Sequence, residues 1–357
     1  MPVNRLYHTW FDQIRQLSQE ARKTTIRNFT WLLIGIYLSR SVHLSLIANK
    51  IPGRAKLHST IQRLRRLLQN RSICVRKWYG PIGEELLESQ AQHGRIRLIV
   101  DGSKVSFHHQ MLMVCIAYRR RAIPIVWTWV KGKRGHSSSI KQLALLRYVH
   151  KLIPNNVSVS IVGDCEFGAV ALLRQLDTWE WRYALRQKTH TLIDLTLHNQ
   201  WQHFGDVIRT PGQSIWLGRG FLTKEHVYRT HLLAHWKLGE KQPWLLATNF
   251  PSRQEALRAY RRRMWIEEMF GDFKGHGFNL EDSHLRHFLR LSRLTLAVVL
   301  LYVWLVAFGS RVIKNGDRSL VDRADRQDFS IFRIGYNMVE RRLANSQTFS
   351  IKLGPYF

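Results

Sequence analysis

Apolar positions along the chain change their spacing several times, and each change marks an element. Residues 1–80 follow helical periodicity. A short helix is predicted over 42–49, and the stretch 50–54, with Pro52 and Gly53, is a turn because both residues break helices. A second helix starts at Ser59, with Ile61, Leu64, Leu67 and Leu68 on one face and Gln62, Arg63, Arg65 and Arg66 elsewhere. Helix, tight turn and basic helix predict a helix-turn-helix-like unit suited to a DNA groove; an ordinary basic helical hairpin fits the same pattern. From residue 95 the period shortens. Residues 95–101, 111–118 and 122–130 read as strands, the last two joined by a basic turn at 119–121 in an antiparallel meander. Residues 139–153 return to helical spacing through Leu143, Leu146 and Val149. A strand over 157–162 ends at Gly163 and Asp164, a helix covers 167–176, and 181–185 is a further strand.

The stretch 190–241 breaks this order with short alternating runs separated by Gly and Pro, and predicts a β-rich insertion. Residues 244–248 resume as a core strand. Ser252 followed three residues later by Glu255 is a capping-box pattern, and a long helix is expected from there to about residue 274. The uncharged apolar run 294–308, flanked by Arg290, Arg293 and Arg311, falls short of the roughly 20 residues a membrane span needs and predicts a buried core helix. The expected fold is α/β: a mixed sheet with flanking helices, interrupted by a β-rich insertion, plus a helical N-terminal DNA-binding part. The expected divisions are 1–80 (basic, helical), 90–189 (first part of the core), 190–241 (insertion), 242–310 (second part, with the long helix) and 311–357 (a C-terminal tail for dimerisation or DNA contact).

Charge narrows the function. Among 357 residues, 55 Lys and Arg stand against 25 Asp and Glu, a formal +30. A polyanionic partner explains such an excess, and nucleic acid fits because each neutralised phosphate releases counterions. Residues 1–80 alone hold 15 basic residues and two acids, a net of +13. Hydrophobic residues at 45% exclude a disordered chain. The cysteines, Cys74, Cys115 and Cys165, form no CxxC pair, which argues against a disulfide framework or a Cys-based zinc site. With a polar, amphipathic start instead of a signal peptide, the expected location is the cytoplasm, at the nucleoid, with no membrane partner.

The long helix carries the sharpest chemistry. Tyr260, Arg263, Glu267 and Lys274 project within an arc of about 60° at 100° per residue. Lys274 and Tyr260 each lie about 10 Å along the axis from Glu267, too far to share a metal with it, whereas Arg263 is one turn away. A carboxylate on a metal, with basic groups gripping successive phosphates, suits this layout, and Tyr260, Arg263 and Lys274 are the candidate DNA contacts of this face.

The spacing Tyr-x2-Arg-x3-Glu-x6-Lys resembles the signature of the bacterial insertion-sequence transposases of the DDE type, over roughly residues 30–310. The first Asp of that family closes the first strand of a ribonuclease-H-like sheet, as Asp101 does here. Its second Asp follows the fourth strand, as Asp164 does, and its Glu lies on a helix after a β-rich insertion, as Glu267 does. The resemblance implies metal-dependent cleavage at transposon ends and strand transfer into target DNA. Asp101, Asp164 and Glu267 would be catalytic and would bind two Mg²⁺ ions, for which Mn²⁺ can substitute. The implied partners are double-stranded DNA, as terminal inverted repeats and as target, and a second copy in a homodimer on paired ends. Rival readings are a nuclease or resolvase of the same fold, a non-catalytic DNA-binding relative and a small basic membrane protein.

Weaker signals complete the set. The basic loop holding Lys131, Lys133 and Arg134 is a candidate phosphate grip. Arg63, Arg65 and Arg66 are candidate DNA contacts. In some members of the family this chain resembles, an aromatic residue of the insertion stacks on a flipped base, and by that resemblance Trp216 and Trp236 are candidates, against the simpler reading of core packing. The pairs His108–His109 and His284–His287 have no third ligand at diagnostic spacing and read as polar surface.

Overall fold

The computed structural model describes residues 2–106, 109–132, 137–196, 198–348 and 350–356. The chain divides into two compact units. One joins residues 1–86 to 270–357 and is helical; the other spans most of 87–269 and holds the sheet.

The helical unit opens with α1 (Pro2–Leu17), α2 (Lys23–Ser39), α3 (Leu44–Ala48), α4 (Leu57–Gln69) and the greater part of α5 (Val75–Ala91). The turn after α3 holds Pro52 and Gly53, the latter at φ +140°, a conformation that favours glycine. The two-helix expectation for this region is met, although α3 has only five residues and α4 starts two residues before Ser59. Leu64, Leu67 and Leu68 of α4 are buried, while Arg65 and Arg66 are exposed, as the spacing required.

The sheet unit runs β1 (Arg95–Ser106), β2 (His109–Tyr118), β3 (Arg121–Lys131), α6 (Ser139–Leu152), β4 (Ser158–Gly163), α7 (Val170–Thr178) and β5 (Arg182–Arg186). It continues with β6 (Leu192–Asp194), β7 (Gln202–His203), β8 (Ser214–Leu222), β9 (Tyr228–His235), β10 (Trp244–Thr248), α8 (Arg253–Tyr260) and α9 (Met264–Phe273). The sheet order is β3-β2-β1-β4-β5-β10-β9-β8-β6-β7. Strands β1, β4 and β5 are mutually parallel, and β2 with β3 is antiparallel. This is the ribonuclease-H-like mixed sheet expected from the element order. β2 is buried along its whole length, so its near-continuous apolar run follows from its place inside the sheet rather than at a solvated face.

The insertion is β-rich, as expected, but it forms no separate layer. β10 pairs antiparallel with β5 on one side and with β9 on the other, so the insertion strands prolong the core sheet. The long helix is also interrupted. Ser252 caps α8 by accepting from the Glu255 N–H at 3.3 Å, and a 3-10 turn at Arg261–Arg263 joins α8 to α9.

The helical unit is completed by α10 (Phe288–Lys314) and α11 (Ile331–Ala344). α10 is long and apolar enough to cross a membrane, yet 89% of its most apolar window is buried in protein, in keeping with the core-helix expectation. It packs against α2, α4 and α11. Buried Arg293 is tolerated because Nη1 donates to the Leu68 carbonyl at 2.8 Å and Nε to the Ile73 carbonyl at 3.1 Å. Residues 270–310 therefore cluster with the helices of 1–86, and the segment after 311 contributes α11, whose Phe332, Ile334, Tyr336, Met338 and Val339 are buried.

Candidate active site

Strand register assembles the site. Val100 of β1 pairs with Gly163 of β4, and Gly163 with Leu185 of β5. The next residues along these three parallel strands are Asp101, Asp164 and Arg186, side by side at a strand spacing of roughly 4.8 Å. Glycines make the row possible. A Cβ on Gly163 would lie 2.8 Å from Val100 Cγ1 and 3.1 Å from a Leu185 methyl, and one on Gly102 would collide with the Gln110 side chain.

α8 and the 3-10 turn pack against β4, which brings Arg263 to the acids. Its Nη1 lies 3.2 Å from Asp101 Oδ2, and its Nη2 lies 2.7 Å from Glu267 Oε1, so one guanidinium bridges a strand-end acid and a helical acid. The bridge is asymmetric. The side chains of Arg263 and Asp101 are 9% and 11% exposed, while Glu267 is 41% exposed. Asp164 Oδ1 is shut off from solvent and, among the described residues, has no hydrogen-bond partner; Arg186 Nη1 stands 3.9 Å from it.

The electrostatics follow from burial and crowding. Burial pushes the Asp101 carboxyl up to about 7; Arg263 and the Gly102 N–H oppose this, and the Asp164 and Glu267 charges add to it. The three acids thus act on one another across this small region. Burial works against the charge on Arg263, but Tyr260 and the three carboxylates outweigh it and hold the guanidinium firmly protonated.

The other expected contacts are distributed as follows. Tyr260 is only 1% exposed and meets Trp244 edge-on at 5.0 Å, and its buried hydroxyl has no hydrogen-bond partner among the described residues. It does not present a phenol to DNA in this arrangement, which corrects the expectation; the Tyr260 and Arg263 part of the face identified by the helical wheel is turned onto the sheet, while Glu267 stays partly exposed. Arg263 is likewise engaged with two carboxylates and not offered to solvent. Lys274 pairs with Glu281 at 2.8 Å within the helical unit. Glu268, the neighbouring acid on α9, points elsewhere and pairs with Arg121 at 3.3 Å. Lys131 is exposed at the end of β3, and Lys133, Arg134 and His108 lie outside the described residues. Arg63 and Arg66 line one concavity of the helical unit and Arg65 another. Trp216 and Trp236 are both half-buried; Trp216 tilts against His231, and Trp236 donates to the Glu240 carbonyl.

Two residues escaped the sequence reading. Arg186 had no motif, and only the register of β5 beside β4 reveals it. Glu166 accepts from Gln110 Nε2 at 2.7 Å and from the Ser137 N–H at 2.8 Å, with a further contact from the Ser137 hydroxyl. It ties the segment before α6 to the strand-end acids. Its position two residues after Asp164 was the only available signal.

Asp101, Asp164 and Glu267 offer only carboxylate oxygens, which suit hard divalent cations, and the unpartnered Asp164 Oδ1 is a free donor. Among the described residues no three acidic, His or Cys side chains converge as a finished coordination sphere, because Arg263 stands between Asp101 and Glu267. The acids thus fit a cation by chemistry and by their need for counter-charge, and the guanidinium supplies that charge here.

The sheet and its acidic strand ends place the chain in the ribonuclease-H-like class. Within that class it belongs to the transposase DDE domain family, which matches residues 92–304, more than half of the chain. It is also similar to piggyBac transposase in a cryo-EM structure of its synaptic complex with hairpin DNA. The identity is 10%, with 96% of this chain and 77% of that chain covered, and the TM-score of 0.41 is too low to carry further argument. No curated protein matches the chain.

Proposed function

We propose that this transposase cuts DNA at the ends of its own element and joins those ends to target DNA, with Asp101, Asp164 and Glu267 as the catalytic acids. The observation that carries the reading is the placement of Asp101 and Asp164 on adjacent parallel strand ends, with Glu267 tied to Asp101 through Arg263. Two Mg²⁺ or Mn²⁺ ions held by these acids would supply charge neutralisation at the phosphate and a nucleophile near neutral pH. Arg263 would then orient Glu267, while Arg186 keeps Asp164 in place beside Asp101. Tyr260 forms the dry floor under Arg263. Lys131, Lys133, Arg134, Lys274 and the α4 arginines Arg63, Arg65 and Arg66 would contact phosphates, and Trp216 or Trp236 an unstacked base. A homodimer on paired inverted repeats, working at the nucleoid, completes the proposal.

The test is incubation of the full chain with DNA carrying the element's inverted repeats, with and without Mg²⁺, followed by mapping of the cut ends. Cleavage at the repeats and joining to a second duplex are expected. Asp101→Ala, Asp164→Ala and Glu267→Ala should each abolish cutting and leave end binding intact. Mg²⁺-dependent cutting by any of the three overturns that assignment, and cutting without joining favours a nuclease of the same fold.

A further inference from the structure

The sheet carries a second polar row at its other end. Along β5, Arg182 precedes Arg186 by four residues, about 13 Å at 3.3 Å per residue. Ala184 between them is fully buried, and α8 packs on the same strand. From Arg182 the row continues across the sheet. Arg182 Nη1 donates to the Asn249 carbonyl just after β10 at 2.6 Å, Thr248 pairs with His231 of β9, and His231 pairs with Arg219 of β8. These residues and Arg229 line a concavity of about 490 Å³, and none belongs to the acidic strand ends.

The pocket is built for an anion. His231 Nδ1 lies 3.1 Å from the Phe250 carbonyl, which can only accept, so Nδ1 carries the proton. Nε2 is then an acceptor and takes the Arg219 Nε–H at 3.4 Å. A neutral imidazole thus holds Arg219 by its inner nitrogen and leaves the terminal fork for a ligand. Arg182 is tethered differently, by Nη1 of its fork to the Asn249 carbonyl, which leaves Nη2 for a ligand. The acid on the wall, Asp177, is already engaged: Oδ1 accepts from Asn249 Nδ2 at 3.0 Å and Oδ2 from the Tyr228 hydroxyl. Three guanidinium groups therefore face the concavity against one satisfied carboxylate, a match for phosphodiester oxygens.

We propose that Arg182, Arg219 and Arg229, with His231 as a positioning residue for Arg219, bind the phosphate backbone of a double-stranded DNA segment distinct from the one at the catalytic acids. The proposal rests on DNA as the substrate, as argued above. Buried Ala184 of β5 and α8, which packs on that strand, lie between the two ends, and this is the ground for assigning the pocket to a separate stretch of duplex.

The test is binding of the full chain to a labelled duplex of unrelated sequence, without divalent metal, across a salt series. Each lost phosphate contact reduces the slope of log affinity against log salt by about 0.9, so Arg182→Ala/Arg219→Ala/Arg229→Ala should flatten it by about 2.7. Arg229→Glu covers the case of a misfolded triple variant, since no hydrogen bond of Arg229 is found among the described residues; it should weaken binding by itself. His231→Ala should flatten the slope by about 0.9, and His231→Gln, whose amide oxygen can accept from Arg219, should restore it. Cleavage of a single end fragment should persist in the triple variant while joining to a second duplex falls. A slope unchanged in the folded triple variant, with Arg229→Glu binding normally, overturns the proposal. Loss of end cleavage would put these arginines on the same DNA as the acids and overturn the separate segment. Failure of the unaltered chain to bind DNA at all would instead sink the transposase reading.

Discussion

Arg263→Met isolates the role of the bridging guanidinium. The substitution leaves Asp101 buried and without its counter-charge, and breaking such a pair costs roughly 3–5 kcal/mol. The Glu267 half adds at most about 1 kcal/mol, because that carboxylate is 41% exposed and screened by water. The larger of these figures is for a carboxylate forced to stay ionised; with a folded pKa of about 7, Asp101 can instead keep its proton at pH 8 for about 1.4 kcal/mol, which would lower the melting midpoint of the sheet unit by roughly 3–6 °C at 2–4 °C per kcal/mol. The loss should depend on pH. The folded pKa of Asp101, pushed up to about 7 by burial, lies above the ordinary carboxylate value. The folded chain therefore holds a proton that the unfolded chain releases, and the native contribution of this group weakens as pH rises through that window. Below it Asp101 is neutral and needs no counter-charge, so Arg263→Met should cost little at pH 5.5 and most at pH 8. Divalent cations should restore the loss, since ligand at a hundred times its Kd contributes about 2.7 kcal/mol. Thermal denaturation of both proteins at the two pH values, with and without Mg²⁺, reads all of this. An equal midpoint for the two proteins at pH 8 would refute the charge-balance argument, and a pH 8 loss that Mg²⁺ leaves untouched would refute the link to metal.

Chelation should abolish end cleavage and leave duplex affinity within about twofold, since the DNA contacts proposed here are basic side chains; equal loss of both in a gel-shift and cutting assay would contradict this. Gly163→Ala puts a methyl 2.8 Å from Val100 and should cost about 1–3 kcal/mol by overpacking, with cleavage falling as the two strand ends part; calorimetry and cutting rates check it. Glu166→Ala removes the acceptor shared by Gln110 and Ser137 and should cost about 1–3 kcal/mol, measured by urea denaturation, whereas Glu166→Gln should retain part of it.

The core was readable wherever burial leaves a local trace. Strands β1 to β5 announce themselves as apolar runs bounded by turns, and the Ser252 cap and the apolar face of α4 follow from spacing alone. Asp101 and Asp164 were visible because each ends such a run. What escaped depends on partners distant in the chain. The pairing of β5 with β10 joins residues about 60 apart, so nothing local distinguishes an insertion that extends the sheet from one that folds alone. The helical wheel gave the directions of Tyr260 and Arg263 correctly as a shared face, but not what lies opposite them, and that face meets the sheet instead of DNA. Arg186 and Glu166 act through contacts with residues more than 20 positions away, which no periodicity records. The placement of α10 with the N-terminal helices is set by packing against α2, a neighbour more than 250 residues away.

The attachment of the insertion through β10 also bears on solubility. Leu245, Leu246 and Ala247 of that strand are wholly or almost wholly buried, and β9 covers their outer hydrogen-bonding side. Excising β6 to β9 would convert an interior strand into a greasy open border, the kind of template on which chains stack into aggregates. A shortened form of this protein would therefore need a charged or proline-bearing substitute border to stay dispersed, even with every acid of the centre intact.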